Sequence, residues 1–181
     1  EDWGTAGALK QVAHKLAEPF LVINADLLSN IPLQPIQDLH LSRDAWVTVG
    51  LTRVKNPTEY GVVILDKEQR VEKFLEKPVW SEVFSDTVNA GIYCFSPRVF
   101  EHIPDGAITD ISRHLIPKLL SLGFAVYGST PGGYWKDVGD LSEYRQVHLD
   151  LLNGERGFAL ASSVVSGNDW EKALVHPEAA V

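Results

Sequence analysis

A short continuous apolar run, Phe20 to Ile23, closes on Asn24-Ala25-Asp26 and restricts the fold more than any other stretch of the chain. Four adjacent apolar residues bounded by turn formers predict a strand buried on both faces in a parallel sheet, with an acid at its carboxyl end. Helical and extended periodicities interleave around it. Upstream, residues 3–18 place Leu9, Val12, Ala13 and Leu16 at helical offsets, with Thr5 expected at the N-cap. Downstream, a short helix is expected over 33–41 and a β-rich stretch over 46–54 that stops at Asn56-Pro57. Residues 60–65 and 71–75 read as a hairpin joined by polar residues 66–70. From 88 to 95 the chain alternates, with Val88, Ala90, Ile92 and Cys94 on one face and Asn89, Gly91, Tyr93 and Phe95 on the other. A helix over 110–122 with Pro117 as a kink or restart, a strand over 124–127 and a strand-like 134–138 follow. Asp140 and Glu143 make a capping-box-like start to a helix over 141–152, which Gly154 ends. This order implies an α/β fold.

At 181 residues the chain suits one main domain with an appendage, here 1–153 and 154–181. In the appendage Val175 and Val181 stand six residues apart, the spacing of one coil of a hexapeptide β-helix; an ordinary extended tail fits equally well. The balance of 16 Lys and Arg against 24 Asp and Glu leaves a net charge of -8, which argues against duplex nucleic acid as a partner. No apolar run approaches the roughly 18 residues of a membrane span, and the one cysteine, Cys94, cannot form an internal disulfide, so a cytoplasmic location is expected. The absence of methionine and the start at Glu1 lead us to expect a piece of a longer chain.

Several residues stand where chemistry is possible. Gly4-Thr5-Ala6-Gly7 permits close backbone approach at the start of a helix, where a nucleotide base or phosphate can lie, although helix capping explains Thr5 as well. Asp26 ends one predicted strand and Asp137 ends another, and strand ends line the ligand crevice of open α/β sheets. Two such acids can share a Mg²⁺ ion, which favours one or two carboxylates together with substrate phosphates; Asp26 taken alone reads as a turn former, and the cap after Asp137 is already supplied by Asp140. Glu76 and Lys77 are adjacent, so a regular strand sends them to opposite faces unless it bends at Pro78. Asn89 and Gly91 share a face on which a hydroxyl-rich ligand can rest, and Gly91 is equally suited to a packing bulge. The six histidines form no i, i+4 pair, which argues against zinc.

Taken in order, Trp-Gly-Thr-Ala-Gly-Ala, Phe-Leu-Val-Ile-Asn-Ala-Asp, Asn-Pro-Thr-Glu-Tyr-Gly-Val-Val, Phe-Leu-Glu-Lys-Pro, Phe-Ser-Asp-Thr-Val-Asn-Ala-Gly-Ile-Tyr and Gly-Tyr-Trp-Lys-Asp-Val-Gly resemble the motifs of sugar-phosphate nucleotidyltransferases. The resemblance covers residues 1 to 153 and is greatest to the mannose-1-phosphate guanylyltransferase branch. It implies a Rossmann-like, GT-A-like mixed sheet flanked by helices; the start of a left-handed β-helix beyond it rests on the Val175 to Val181 spacing, with an extended tail as the alternative. It also implies transfer of a nucleotidyl group from an NTP, with GTP favoured, to a sugar 1-phosphate, giving GDP-mannose and pyrophosphate. By the same resemblance Asp26 and Asp137 hold Mg²⁺, and Lys77 contacts the sugar phosphate. Glu76 and Asn89 bind sugar hydroxyls, Gly61 and Gly91 leave room for the ring, and Gly4 and Thr5 lie near the nucleobase and ribose.

Two departures qualify what is carried over. Ala25 stands where the family usually has glycine before the metal acid. The family's glycine-rich triphosphate loop, which bears Arg and Lys, has no counterpart in these residues, so this polypeptide is expected to be inactive alone and to self-associate through exposed sheet edges. A non-catalytic sugar-nucleotide-binding subunit is the alternative reading; retention of Asp26, Lys77 and Asp137 favours the enzyme. A glycosyltransferase would place an Asp-x-Asp pair at the metal, and none occurs.

Overall fold

In the computed structural model of the chain, residues 2–153 and Phe158 are described in full and residues 163–165 and 173–175 as backbone. Along the chain run α1 (Gly4–Gln11), β1 (Phe20–Ile23), β2 (Leu27–Ser29), α2 (Gln34–Ser42), β3 (Val47–Arg53), β4 (Gly61–Leu65) and β5 (Val71–Glu76). Then come β6 (Thr87–Phe95), α3 (Ile116–Ser121), β7 (Val126–Ser129), β8 (Trp135–Asp137), α4 (Leu141–Leu152), β9 (Ser163–Val165) and β10 (Ala173–Val175). They fall into two compact units, one of residues 1–24 and 32–132, the other of residues 25–31 and 133–181.

The larger unit is a mixed sheet in the order β5-β4-β6-β3-β7, with β1 also paired to β6. Only β3 and β7 run parallel; the other pairs are antiparallel. Strand β3 is buried on both faces because helices cover both. Val47, Val49 and Leu51 join the main core with Tyr93, Phe95, Leu115 and Leu119. On the other face Gly50 lets α2 approach so closely that an added Cβ would sit 2.9 Å from Ile36 Cδ1. His40, on the same helix, is buried beside the Thr48 hydroxyl at 3.2 Å.

Strand β6 carries the central irregularity. Gly50 opposes Ile92 but Leu51 opposes Asn89, so β6 holds two extra residues at the break. Gly91 lies there with φ 69°, a left-handed conformation open to glycine at little cost. An insertion of two residues preserves the alternation, which is why Asn89 still shares a face with Tyr93. Bending at Gly91 also lets one edge of β6 serve two partners, β4 at Val88 and β1 at Ile92 to Phe95.

Two expectations are corrected here, and a third, the restart at Pro117, is found in a particular form. Strand β1 is antiparallel to β6 and only half-buried, with Ile23 49 % exposed; a four-residue apolar run specifies neither pairing direction nor a second covering layer. Helix α1 stops at Gln11 before a 3-10 turn over Ala13–Lys15, and its N-cap is Trp3 rather than Thr5. The segment beginning at Asp110 opens as a π-helical turn, Ile111–Leu115, and becomes α-helical at Ile116, where Pro117 occupies a first-turn position.

In the second unit β2 and β8 form an antiparallel pair. The Tyr134 N–H donates to Asn30 Oδ1 at 2.6 Å, and the Tyr134 hydroxyl donates to Asp150 of α4 at 2.6 Å. Asp140 caps α4 by accepting the Glu143 N–H, while the Glu143 carboxylate pairs with Lys136 instead of completing the box. Strands β9 and β10 pair antiparallel. Gly154, expected to end α4, and Val181, expected to open a β-helix coil, lie outside the described residues.

Phe95 anchors the larger unit: it is fully buried, with its ring 5.9 Å from Phe20 and 5.5 Å from Tyr93. We expect Phe95→Ala to lower stability by about 3–5 kcal/mol, read as a shift of the urea midpoint at constant slope.

Candidate functional site

The expected site residues fall into three groups, one on the smaller unit and two on the larger. On the smaller unit, Leu27 opposes Asp137 in the β2–β8 ladder, and the Val138 N–H donates to the Asp26 carbonyl at 2.8 Å. Asp26 and Asp137, more than a hundred positions apart in sequence, are thus one register position apart on adjacent backbones, an offset that sends side chains to opposite faces within a regular ladder; Asp26 is not bound by that alternation because it lies in the turn before β2. Asp26 is exposed and Asp137 half-buried. Both offer hard oxygen donors, and among the described residues no cluster of three or more His, Cys, Asp or Glu provides an all-protein cage. Two carboxylates with remaining positions open suit Mg²⁺, which keeps water and substrate phosphates in its coordination sphere. Ala25 precedes this pair and is exposed.

The second group lies at the end of the β4–β5 hairpin. Gly61 opposes Glu76, and a Cβ on Gly61 would meet Glu76 Oε2 at 2.9 Å and the Phe74 ring at 3.0 Å. The carboxylate of Glu76 therefore rests in space that only glycine leaves open. The bend expected near Pro78 falls on Lys77 itself, which has φ 46° and donates its N–H to the Tyr60 carbonyl at 3.0 Å. A left-handed lysine is unfavourable, and the turn releases its side chain from the strict alternation of a strand. Lys77 is exposed.

Asn89 belongs to the same sheet but is committed internally. Its Oδ1 accepts the Gly91 N–H at 3.0 Å, and its Nδ2 donates to the Tyr93 hydroxyl at 2.7 Å. Gly91 completes the bulge by accepting the Asn24 N–H through its carbonyl. Burial pushes the Tyr93 phenol well above its ordinary range, against the opposing effect of the Asn89 hydrogen bond, so the hydroxyl stays protonated. Cys94 is buried too, which pushes its thiol up to about 11 and leaves it unreactive.

The third group is the glycine-threonine segment. Gly4 has φ 66°, and a Cβ there would meet the Thr109 carbonyl at 2.6 Å. That carbonyl also accepts the Ala6 and Gly7 N–H groups at 2.8 and 3.0 Å. Thr5, instead of capping α1, accepts the Ile111 N–H and donates to Asp110 Oδ2. The first turn of α1 is therefore fastened to Thr109 and Asp110. Sequence reasoning missed both as supports, although Thr-Asp-Ile-Ser carries the signal of an aspartate accepting from the residue two places on.

The carboxyl of Asp110 is desolvated, which alone would raise its pKa. Hydrogen bonds from the Arg113 N–H, the Ser112 side chain, the Thr5 hydroxyl and the Ser112 N–H outweigh this and hold it below the ordinary carboxylate value. A carboxylate depressed by folding stabilises the fold above its unfolded pKa, about 4, and loses that contribution as pH falls through its lower folded value. We expect Asp110→Asn to destabilise the chain near neutral pH, with the gap from the parent protein closing below about pH 4; urea midpoints across pH check this.

Residues 1–154 match the family described as Nucleotidyl transferase. Mannose-1-phosphate guanylyltransferase of Mycobacterium tuberculosis is 38 % identical over 180 residues, an alignment covering 98 % of this chain and 48 % of that protein. A protein described as a probable mannose-1-phosphate guanylyltransferase 1, from Oryza sativa subsp. japonica, is 34 % identical across 100 % of this chain and 50 % of its own length. The chain thus spans about half the length of these curated relatives. Among solved structures, a Bacillus anthracis protein provisionally described as a glucose-1-phosphate thymidylyltransferase, crystallised with sucrose, superposes with a TM-score of 0.73. It is 21 % identical, and the match covers 88 % of this chain and 65 % of that one. At that identity the likeness establishes the fold.

Proposed function

Because this chain belongs to the nucleotidyl transferase family, we propose that the protein carrying it transfers a nucleotidyl group from an NTP to a sugar 1-phosphate, with GTP and mannose 1-phosphate as substrates. The guanylyltransferase names of the relatives support this choice of base and sugar. A phosphate oxygen of the sugar 1-phosphate attacks the α-phosphorus, the bond to the β-phosphate breaks, and pyrophosphate leaves. Such a reaction asks little covalent chemistry of the protein and depends on positioning and charge neutralisation.

The observation that carries the reading is the adjacency of Asp26 and Asp137 across the β2–β8 ladder. In this reading the two acids hold Mg²⁺, which supplies neutralisation of phosphate charge when bound. Lys77, turned out of its strand, pairs with the phosphate of the sugar. Glu76, lying over Gly61, accepts hydrogen bonds from sugar hydroxyls. Asn89 has its oxygen engaged by Gly91, so it meets the ligand through its remaining N–H and acts as a donor. The bulge at Gly91 removes a side chain from the surface beneath the ring. Gly4 and Thr5, held by Thr109 and Asp110, face the nucleobase and ribose.

The proposed activity is that of the whole protein, since this chain spans about half the length of its curated relatives. In that protein we expect Asp26→Asn and Asp137→Asn each to lower kcat for pyrophosphate release by about 100-fold or more. Lys77→Gln should raise KM for the sugar phosphate by about tenfold, the loss of one charge-assisted contact. Near-normal turnover in Asp137→Asn contradicts the assignment.

A further inference from the structure

Within the larger unit, the segment from His102 to Lys118 encloses a cleft of about 260 Å³ that the proposed reaction does not use. Its apolar surface comes from Pro104, Ala107, Ile108 and Leu115, and its polar edge from His102, His114 and Lys118. Ile108 is 66 % exposed, although its neighbour Thr109 is buried.

The polar edge is rich in donors. The Asp110 N–H donates to His114 Nδ1 at 2.9 Å, so that nitrogen presents its lone pair and the ring proton sits on Nε2. Lys118 spends one of its three N–H bonds on the His102 carbonyl, at 2.9 Å, and keeps two. The Thr109 hydroxyl donates to the Ala107 carbonyl. No carboxylate lines the cleft. Three acids adjoin lining residues in sequence: Asp105 faces Lys10 at 3.7 Å, Asp110 takes Thr5 and Ser112, and Glu101 is exposed and does not line the cleft. On a chain of net charge -8, an edge of donors without acids is a local exception, and it selects an anion by charge complementarity. The apolar wall selects the remainder of the ligand.

We propose that this cleft binds a compact organic anion, a phosphate monoester or carboxylate whose apolar body lies on Ile108 and Leu115 while its charged head meets Lys118 and His114 Nε2–H. Its wall includes Thr109, whose carbonyl holds the first turn of α1, so a ligand here sits directly behind the glycine-threonine segment.

The test is a titration of the whole protein with phenyl phosphate, inorganic phosphate and phenol, following imidazole resonances by NMR. Buried His40 reports whether the fold is intact. We expect phenyl phosphate to shift the His114 resonance and to bind about tenfold more tightly than either inorganic phosphate or phenol. Lys118→Gln and Ile108→Ser, both at exposed positions, should each weaken binding about fivefold or more with the His40 signal unmoved. An unmoved His114 resonance, phenol binding as tightly as phenyl phosphate, or unchanged affinity in either variant overturns the proposal.

Discussion

A ladder of three residue pairs, Leu27 with Asp137, Leu28 with Lys136 and Ser29 with Trp135, ties together two segments separated by more than a hundred positions. The proposed chemistry depends on this pairing, because it brings Asp26 and Asp137 onto neighbouring backbones, and the proposed Mg²⁺ site uses both. So short a pair is weak by itself. It is reinforced at Tyr134, whose N–H and carbonyl both bond Asn30 and whose hydroxyl reaches Asp150 on α4. Gly133 permits this closure: with φ 118° it lies where a Cβ would press on Asn30 Oδ1 at 3.0 Å.

On the larger unit a second constraint governs the residues proposed to meet the sugar. The two-residue bulge of β6 bends the strand at Gly91 while keeping Asn89 and Tyr93 on one face, and the Asn89 amide fixes that geometry. Glu76 and Lys77 are arranged differently, one lying over a glycine and the other released by a positive φ. Local backbone departures of this kind place side chains where regular strands cannot.

The sequence revealed what local pattern determines. The hairpin of β4 and β5, the alternation in β6, α2 and the Asp140 cap of α4 follow from periodicity and capping chemistry, and each is present. The run Phe20 to Ile23 announced a strand but not its antiparallel partner, because pairing direction depends on residues seventy positions away. Thr5 was misread for the same reason: local preference favours a cap, while Asp110 and Ile111, remote in sequence, claim its hydroxyl. Asp26, Glu76, Lys77, Asn89 and Asp137 could be singled out from motif resemblance. The fastening of the Gly4-Thr5 segment to Thr109 and Asp110, and of Asn89 to Tyr93, became visible only with the tertiary hydrogen bonds.

The most direct measurement of the central claim is Mn²⁺ binding to the whole protein in the presence of GTP, followed by electron paramagnetic resonance. Joint ligation by Asp26 and Asp137 predicts one nucleotide-dependent site whose affinity falls sharply in either single Asp→Asn variant and falls little further in the double variant. Full affinity in either single variant would contradict it.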